Sequence, residues 1–259
     1  PQKSIEEASE DVEDWAQQYG TEIELLRQNE AFRKEFLQNL SHELKTPIFS
    51  IQGYVDTLLE GGLHNDAVNT KFLKNAAQNI DRLVNLVEDL DEISALESGE
   101  LKLNFQYFVI QDLIKDVFDS LYILSKEKEI TCQLKKGCES PVTVYADKEK
   151  IRQVISNLTD NAIKYGKPSG LVEASVYNID GKTALIEISD DGAGIAEEHL
   201  PRIFERFFRT DMARSRRVGG SGLGLAICKH IIEAHHQTIH VRSKVDVGTT
   251  FVFQLPSGK

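Results

Sequence analysis

Apolar positions along the first part of the chain recur at helical spacing. Ile5, Ala8, Val12, Trp15 and Tyr19 advance by 3, 4, 3 and 4 residues, the seam of a coiled coil, although a plain amphipathic helix packed on its own domain fits too. The next steps, to Ile23 and Leu26, place two fours in succession, a stutter that locally shifts the supercoil. Gly20 weakens the helix within that pattern. From about residue 30 to 59, Phe36, Leu37, Leu40, Leu44, Ile51, Val55 and Leu58 fall within a stripe roughly 100° wide. Glu60-Gly61-Gly62 ends it, as glycines past a last periodic residue do. A second run over 66–97 carries Leu73, Ala76, Ile80, Leu83, Val87 and Leu90 at steps of 3, 4, 3, 4 and 3. Two long helices on a short loop make an antiparallel hairpin. One hairpin cannot bury both stripes, so two copies forming a four-helix bundle are the natural solution.

After Ser98-Gly99 the texture changes to mixed α and β. Helical patterns cover 110–127 and 148–165. Strand-like runs cover 130–134, 142–145, 171–177, 183–189, 239–243 and 249–255, with Asp180-Gly181 as a hairpin turn signal. The expected division is a leading coiled-coil helix over 1–30, the helical hairpin over 31–100 and an α/β sandwich over 101–259.

Composition agrees with that plan. The chain has 259 residues, 41% hydrophobic and 27% charged, enough for two modest cores and unlike a disordered or collagenous chain. Its 30 Lys and Arg against 41 Asp and Glu leave a net charge of −11, which argues against a fold-wide nucleic-acid footprint. Cys132, Cys138 and Cys228 show no CxxC spacing, so zinc and thioredoxin chemistry lack support and a reducing compartment is expected. No run approaches the roughly 18 apolar residues of a membrane span. The chain begins at Pro1, and an upstream part with any membrane anchor is expected to lie outside it.

The first chemical signal is Ser41-His42-Glu43-Leu44-Lys45-Thr46-Pro47. His42 follows Leu40 by two residues and so points about 200° away from it, to solvent rather than core. An exposed imidazole is mostly neutral and nucleophilic above about pH 7. Glu43 can take the proton of one ring nitrogen while the other attacks. Thr46 shares the exposed face at i+4, and Pro47 should bend or loosen the helix there. Read alone, the segment also fits an inert surface histidine.

No Walker motif and no HRD–DFG pair is present, so those phosphate-handling folds are excluded. Dispersed pieces stand instead. Asn157, Asn161, Lys164 and Tyr165 share one helix face. Amide oxygens suit Mg²⁺, lysine suits phosphate and tyrosine suits a base, although a plain polar face fits too. A strand runs into Asp190-Asp191-Gly192-Ala193-Gly194, where Glu197 occupies the third glycine position of a dinucleotide turn. A carboxylate ahead of two glycines can accept from an exocyclic amine; a simple tight turn is the alternative. Phe204-Glu205-Arg206-Phe207-Phe208-Arg209 and the basic Arg214, Arg216 and Arg217 follow. Gly219-Gly220-Ser221-Gly222-Leu223-Gly224-Leu225 then opens an apolar helix, an arrangement suited to phosphate or to a flexible loop.

In order, SHELKTP, NLTDNAIKY, DDGAGI, FERFFR and GGSGLGLAI resemble the H, N, first glycine, F and second glycine boxes of bacterial sensor histidine kinases. The resemblance covers about 30–256 and implies a dimerisation and phosphoacceptor hairpin followed by a Bergerat-type ATP-binding sandwich. By position it makes His42 the phosphoacceptor, Glu43 its acid/base partner and Thr46 the residue that positions water for a phosphatase reaction. Asn161 is the expected Mg²⁺ ligand with Asn157 beside it. Lys164 reaches phosphate, Tyr165 lines the base pocket, Gly192 and Gly194 belong to the nucleotide site, and Asp190 bonds the adenine amino group. Arg209 lies near the γ-phosphate, and Gly222, Leu223 and Gly224 cradle phosphates at the base of a lid over about 210–221. ATP and Mg²⁺ are the implied ligands. A second copy and a response-regulator receiver domain are the implied partners. The implied location is the cytoplasmic part of an inner-membrane sensor, with the leading helix as the input. His236 departs from a glycine usual in the family, and its turn is expected to use a left-handed non-glycine. The alternatives are a non-catalytic nucleotide-binding dimeric scaffold, an enzyme acting mainly as a phosphatase, and another ATPase of the same nucleotide fold.

Overall fold

The computed structural model describes residues 5–97, 102–138, 140–210 and 221–258, with several side chains in the first half of the leading helix outside that description. Two compact units divide between Leu83 and Val84.

In the first unit, α1 (Ile5–Leu59) carries both leading periodic segments as one helix. It continues through Pro47, which cannot donate a ladder bond. Around that proline the hydroxyls of Ser41, Thr46 and Ser50 donate to the carbonyls of Leu37, His42 and Thr46 at 2.8, 3.1 and 2.9 Å. The helix stops where Gly61 takes a φ of 117°, a left-handed cap that a side chain would resist. A short 3-10 turn, Gly62–His64, leads into α2 (Asp66–Glu97), whose bounds match the periodic run. The Tyr54 and Phe72 rings lie 5.4 Å apart, and Arg82 Nη2 donates to Glu43 Oε2 at 2.8 Å. These two contacts set the antiparallel register. Large apolar side chains such as Leu37, Leu73 and Ile80 stay exposed on the single hairpin.

The second unit contains β1 (Phe105–Val109), α3 (Ile110–Ser120), α4 (Tyr122–Glu127), β2 (Thr131–Leu134) and β3 (Thr143–Asp147). Then follow α5 (Lys148–Tyr165), β4 (Leu171–Asn178), β5 (Thr183–Asp190), α6 (Gly224–Ala234), β6 (Ile239–Lys244) and β7 (Gly248–Pro256). The main sheet has the order β2-β4-β5-β7-β6; β2–β4 is parallel and the other pairs antiparallel. β1 and β3 form a small antiparallel ladder of their own. Alternate residues of β4, β5 and β7 (Val172, Ala174; Ile186, Ile188; Phe253, Leu255) are buried, as a sheet with one covered face requires. The covering layer comes from α3, α5 and α6, through Leu113 and Ile114, Ile151, Ile155 and Leu158, and Ile227 and Ile231. Burying each such side chain is worth about 1.5–3 kcal/mol, so this layer contact is the core of the unit.

Three details differ from the sequence reading. The helix expected over 110–127 divides at Leu121, where the Ser120 hydroxyl donates to the Val117 carbonyl at 2.7 Å and competes with the helical ladder. β1 was not expected, because its burial does not alternate. The 3-10 turn Glu197–Arg202 was also not expected. His236 does take a left-handed φ of 58°.

Candidate functional site

The first cluster lies on α1. His42 and Thr46 are exposed on successive turns, while Glu43 is half-buried beside Arg82. The Thr46 hydroxyl sits over the His42 carbonyl at 3.1 Å. The phase of the apolar stripe therefore puts the imidazole in solvent, as the spacing required.

The second cluster gathers the ends of α5, β5 and α6. α5 turns its Ile151, Val154, Ile155, Leu158 and Ala162 into the core, leaving Asn157, Asn161, Lys164 and Tyr165 along one flank of that face. Asn157 Nδ2 donates to the Gly224 carbonyl at 3.4 Å, tying α5 to the first turn of α6. The Lys164 ammonium pairs with Asp160 at 2.5 Å, and the α5 carbonyls of Ile163 and Lys164 accept from Lys128 at 3.0 and 2.7 Å. Tyr165 is part-exposed, and its carbonyl accepts from the Ala193 N–H at 3.3 Å.

The two adjacent aspartates are sorted by their partners. Asp191 accepts from the Leu171 N–H at 2.8 Å and pairs with Lys167 at 3.0 Å, so it locks the loop. Asp190 accepts from the Gly192 N–H at 2.9 Å, and burial pushes its carboxyl above the usual range against that bond. Asp190 is therefore the carboxylate held ready in a partly dry place. Beneath it, a Cβ on Gly192 would lie 2.6 Å from the Tyr165 carbonyl, and one on Gly194 (φ 68°) would lie 2.0 Å from the Lys244 carbonyl. Glycine is required at both by the chain's own close packing.

Gly222, with φ of 74°, accepts from the Phe207 N–H at 2.9 Å; a Cβ there would meet the Phe207 backbone at 2.9–3.2 Å. Phe207 is itself buried with a left-handed φ of 61°, unusual for a bulky residue. Phe208 packs under the Arg202 guanidinium at 4.7 Å, and Arg209 is half-buried beyond it. Ser221 donates to Asp89 Oδ2 at 2.9 Å and accepts from the Leu223 N–H at 3.2 Å. α6 opens at Gly224 with no side-chain cap, and a Cβ on Gly224 would meet nothing nearer than the Asn157 amide at 3.7 Å. The expected lid falls largely on residues 211–220, outside the described residues, together with Arg214, Arg216, Arg217, Gly219 and Gly220. Cys228 is fully buried, and burial pushes its thiol up to about 12, so it stays protonated at neutral pH.

Residues 32–99 match the model of the His Kinase A (phospho-acceptor) domain, and residues 146–259 that of the histidine kinase-, DNA gyrase B- and HSP90-like ATPases. Over 225 residues the chain is 34% identical to the sensor histidine kinase WalK of Bacillus subtilis, covering 86% of this chain and 36% of that protein. The chain belongs to the sensor histidine kinase family. It spans little more than a third of the length of WalK. The Acinetobacter baumannii histidine kinase AdeS has a similar structure, with a TM-score of 0.68 at 27% identity over 84% of this chain and 98% of that one. Full-length ShkA, solved in complex with AMPPNP, has a TM-score of 0.65 at 27% identity over 87% of this chain and 46% of that one. Among the described residues no helix is long and apolar enough to cross a membrane.

Sequence reasoning about this histidine kinase chain missed Arg82 and Lys128. Arg82 was within reach of register arithmetic: folding the hairpin about its loop sets it opposite Glu43. Lys128 had no local signal, because its partners are carbonyls at the far end of α5.

Proposed function

We propose that the chain is an ATP-dependent histidine kinase that phosphorylates itself on His42 and passes the phosphoryl group to an aspartate of a response regulator. The observation that carries this reading is an exposed imidazole on the phospho-acceptor hairpin, in one chain with a sandwich that presents the half-buried Asp190 carboxylate. His42 is the nucleophile and Glu43 its proton acceptor. Asp190 accepts from the adenine amine, with Gly192 and Gly194 allowing close approach and Tyr165 against the base. Gly222 and Leu223 shape the turn at the start of α6, and Gly224 leaves its uncapped N–H groups accessible to phosphate. Lys164 and Arg209 supply positive charge to the phosphates. The donor set fits a hard cation: Asn161, with Asn157 beside it, would hold Mg²⁺ on amide oxygen, where the ion would neutralise phosphate charge.

Domain assignment follows: 1–30 is the signalling coiled-coil helix, 31–100 the dimerisation and phosphotransfer domain, and 101–259 the catalytic ATP-binding domain. The exposed apolar stripes of α1 and α2 support a homodimer built as a four-helix bundle. Thr46, exposed one turn from His42, supports a separate phosphatase reaction in which it positions water against the phosphorylated regulator. A cytoplasmic setting, attached to a membrane sensor, suits a consumer of ATP that shares its family with WalK.

The test is incubation with γ-labelled ATP and Mg²⁺, comparing the chain with His42→Gln. Acid-labile, alkali-stable label absent from the variant is the expected result. No label while nucleotide still binds overturns the kinase reading in favour of a nucleotide-binding scaffold, and label on another residue overturns His42 as the acceptor.

A further inference from the structure

We infer that Arg82 is a positioning residue for phosphoryl transfer at His42, acting through the Glu43 carboxylate; the inference rests on the kinase reading above. Arg82 Nη2 reaches across the hairpin to Glu43 Oε2 at 2.8 Å, with side-chain exposures of only 34% and 24%. Its Nε is buried and has no hydrogen-bond partner. An ordinary surface ion pair keeps its spare donors in water, whereas a dry, unpaired N–H carries a desolvation cost. Arg82 is thus a half-buried partner that fixes the Glu43 carboxylate from the facing helix.

Helix geometry explains why such a hold is needed. His42 and Glu43 are consecutive on α1, so their side chains leave the axis about 100° apart and do not face each other. Glu43 must therefore be aimed, and Arg82 is the group bound to it from the facing helix. In the step itself, one ring nitrogen of His42 attacks the γ-phosphorus of ATP. The N–P bond forms as the P–O bond to ADP breaks, and that electron pair leaves with ADP. The proton on the other ring nitrogen passes to Glu43. Arg82 touches neither the phosphate nor the imidazole; it sets where the accepting carboxylate stands.

The experiment measures the initial rate of His42 labelling by γ-labelled ATP in the full chain, across ATP concentrations. Arg82→Gln is expected to lower kcat about tenfold, a fraction of what a positioned base contributes, and to leave the KM for ATP unchanged. Arg82→Lys is expected to recover most of that loss, because the contact uses a single nitrogen. In a Glu43→Gln background, Arg82→Gln should have no further effect, a coupling that a merely structural arginine would not show. Should Arg82→Gln melt early, the same cycle run with Arg82→Met, which keeps the apolar stem and removes the charge, decides the matter. Equal rates in wild type and Arg82→Gln, or the same loss with and without Glu43, overturn the assignment. A wild-type chain that takes no label overturns the kinase reading itself, and this inference with it.

Discussion

Asp190 holds a charge where its own fold would prefer none. Burial raises its pKa, and the negative charge of Asp191 adds to that, while the Gly192 and Thr249 N–H groups pull the other way. A carboxyl raised in the folded state binds protons more readily folded than unfolded, so at neutral pH it detracts from stability. Asp190→Asn keeps an oxygen to accept the Gly192 N–H and discards the charge. The expected outcome is an unfolding midpoint equal to or above that of wild type, together with at least a tenfold loss of ATP affinity by titration calorimetry. A variant that binds ATP normally would remove Asp190 from the adenine site. At this scale His42 was legible in the sequence, because its exposure follows from phase against Leu40, two residues away on the same helix. The division of labour between Asp190 and Asp191 was not, because Lys167 and the Leu171 N–H that claim Asp191 come from elsewhere in the chain.

Helices α5 and α6 of the sandwich begin in opposite ways. At α5 the Asp147 side chain accepts from the Glu149 and Lys150 N–H groups at 3.1 Å, and from the Asn104 N–H at 2.8 Å. Asp147→Ala should therefore cost about 1–2 kcal/mol in urea unfolding, the usual loss for such a cap. At α6 the cap is missing, and the two flanking glycines serve different ends. Gly222→Ala drives a methyl into the Phe207 backbone at a positive φ and should cost about 1–3 kcal/mol. Gly224→Ala has room and a helical conformation, so its unfolding midpoint should hold or rise while ATP affinity falls. If instead both variants bind ATP normally, the α6 turn is a packing device alone. The bounds of α2 and α5 were legible because strong periodicity meets a clear stop; α5 ends at Gly166 and α2 starts beyond the Gly61–Gly62 loop. The break at Leu121 was not legible, since a serine hydroxyl chooses between water and a carbonyl only once the fold is formed.

Across the second unit, one histidine joins elements far apart in sequence. His235, at the end of α6, donates from Nδ1 to the Ile231 carbonyl at 2.8 Å and accepts at Nε2 from the Asp147 N–H at 3.0 Å. A carbonyl can only accept and an amide N–H can only donate, so the ring is the neutral Nδ1–H tautomer. Protonation would place an N–H against an N–H at the junction of β3 and α5. Burial lowers the His235 pKa, and His236 adds to that, against the pull of the Ile231 carbonyl and the Asp147 carboxylate. His230 is lowered as well, by burial and by Arg206. A histidine depressed in the folded state takes up its proton in the unfolded chain first. Stability is then complete above the unfolded value of about 6.5 and falls as pH drops from there toward the folded pKa, by at most about 1.4 kcal/mol per pH unit for each group. Denaturant unfolding at pH 7.5 and pH 5.5 should show that loss, and His235→Gln, which keeps a donor and an acceptor without titrating, should flatten it. Subtracting the two chains cancels the opposite contribution of Asp190. Identical slopes would mean that the joint between α6 and the α5 N-terminus survives protonation. A flatter slope in the variant would mean that this one tautomer ties the end of α6 to the start of α5, so that acidification loosens that joint.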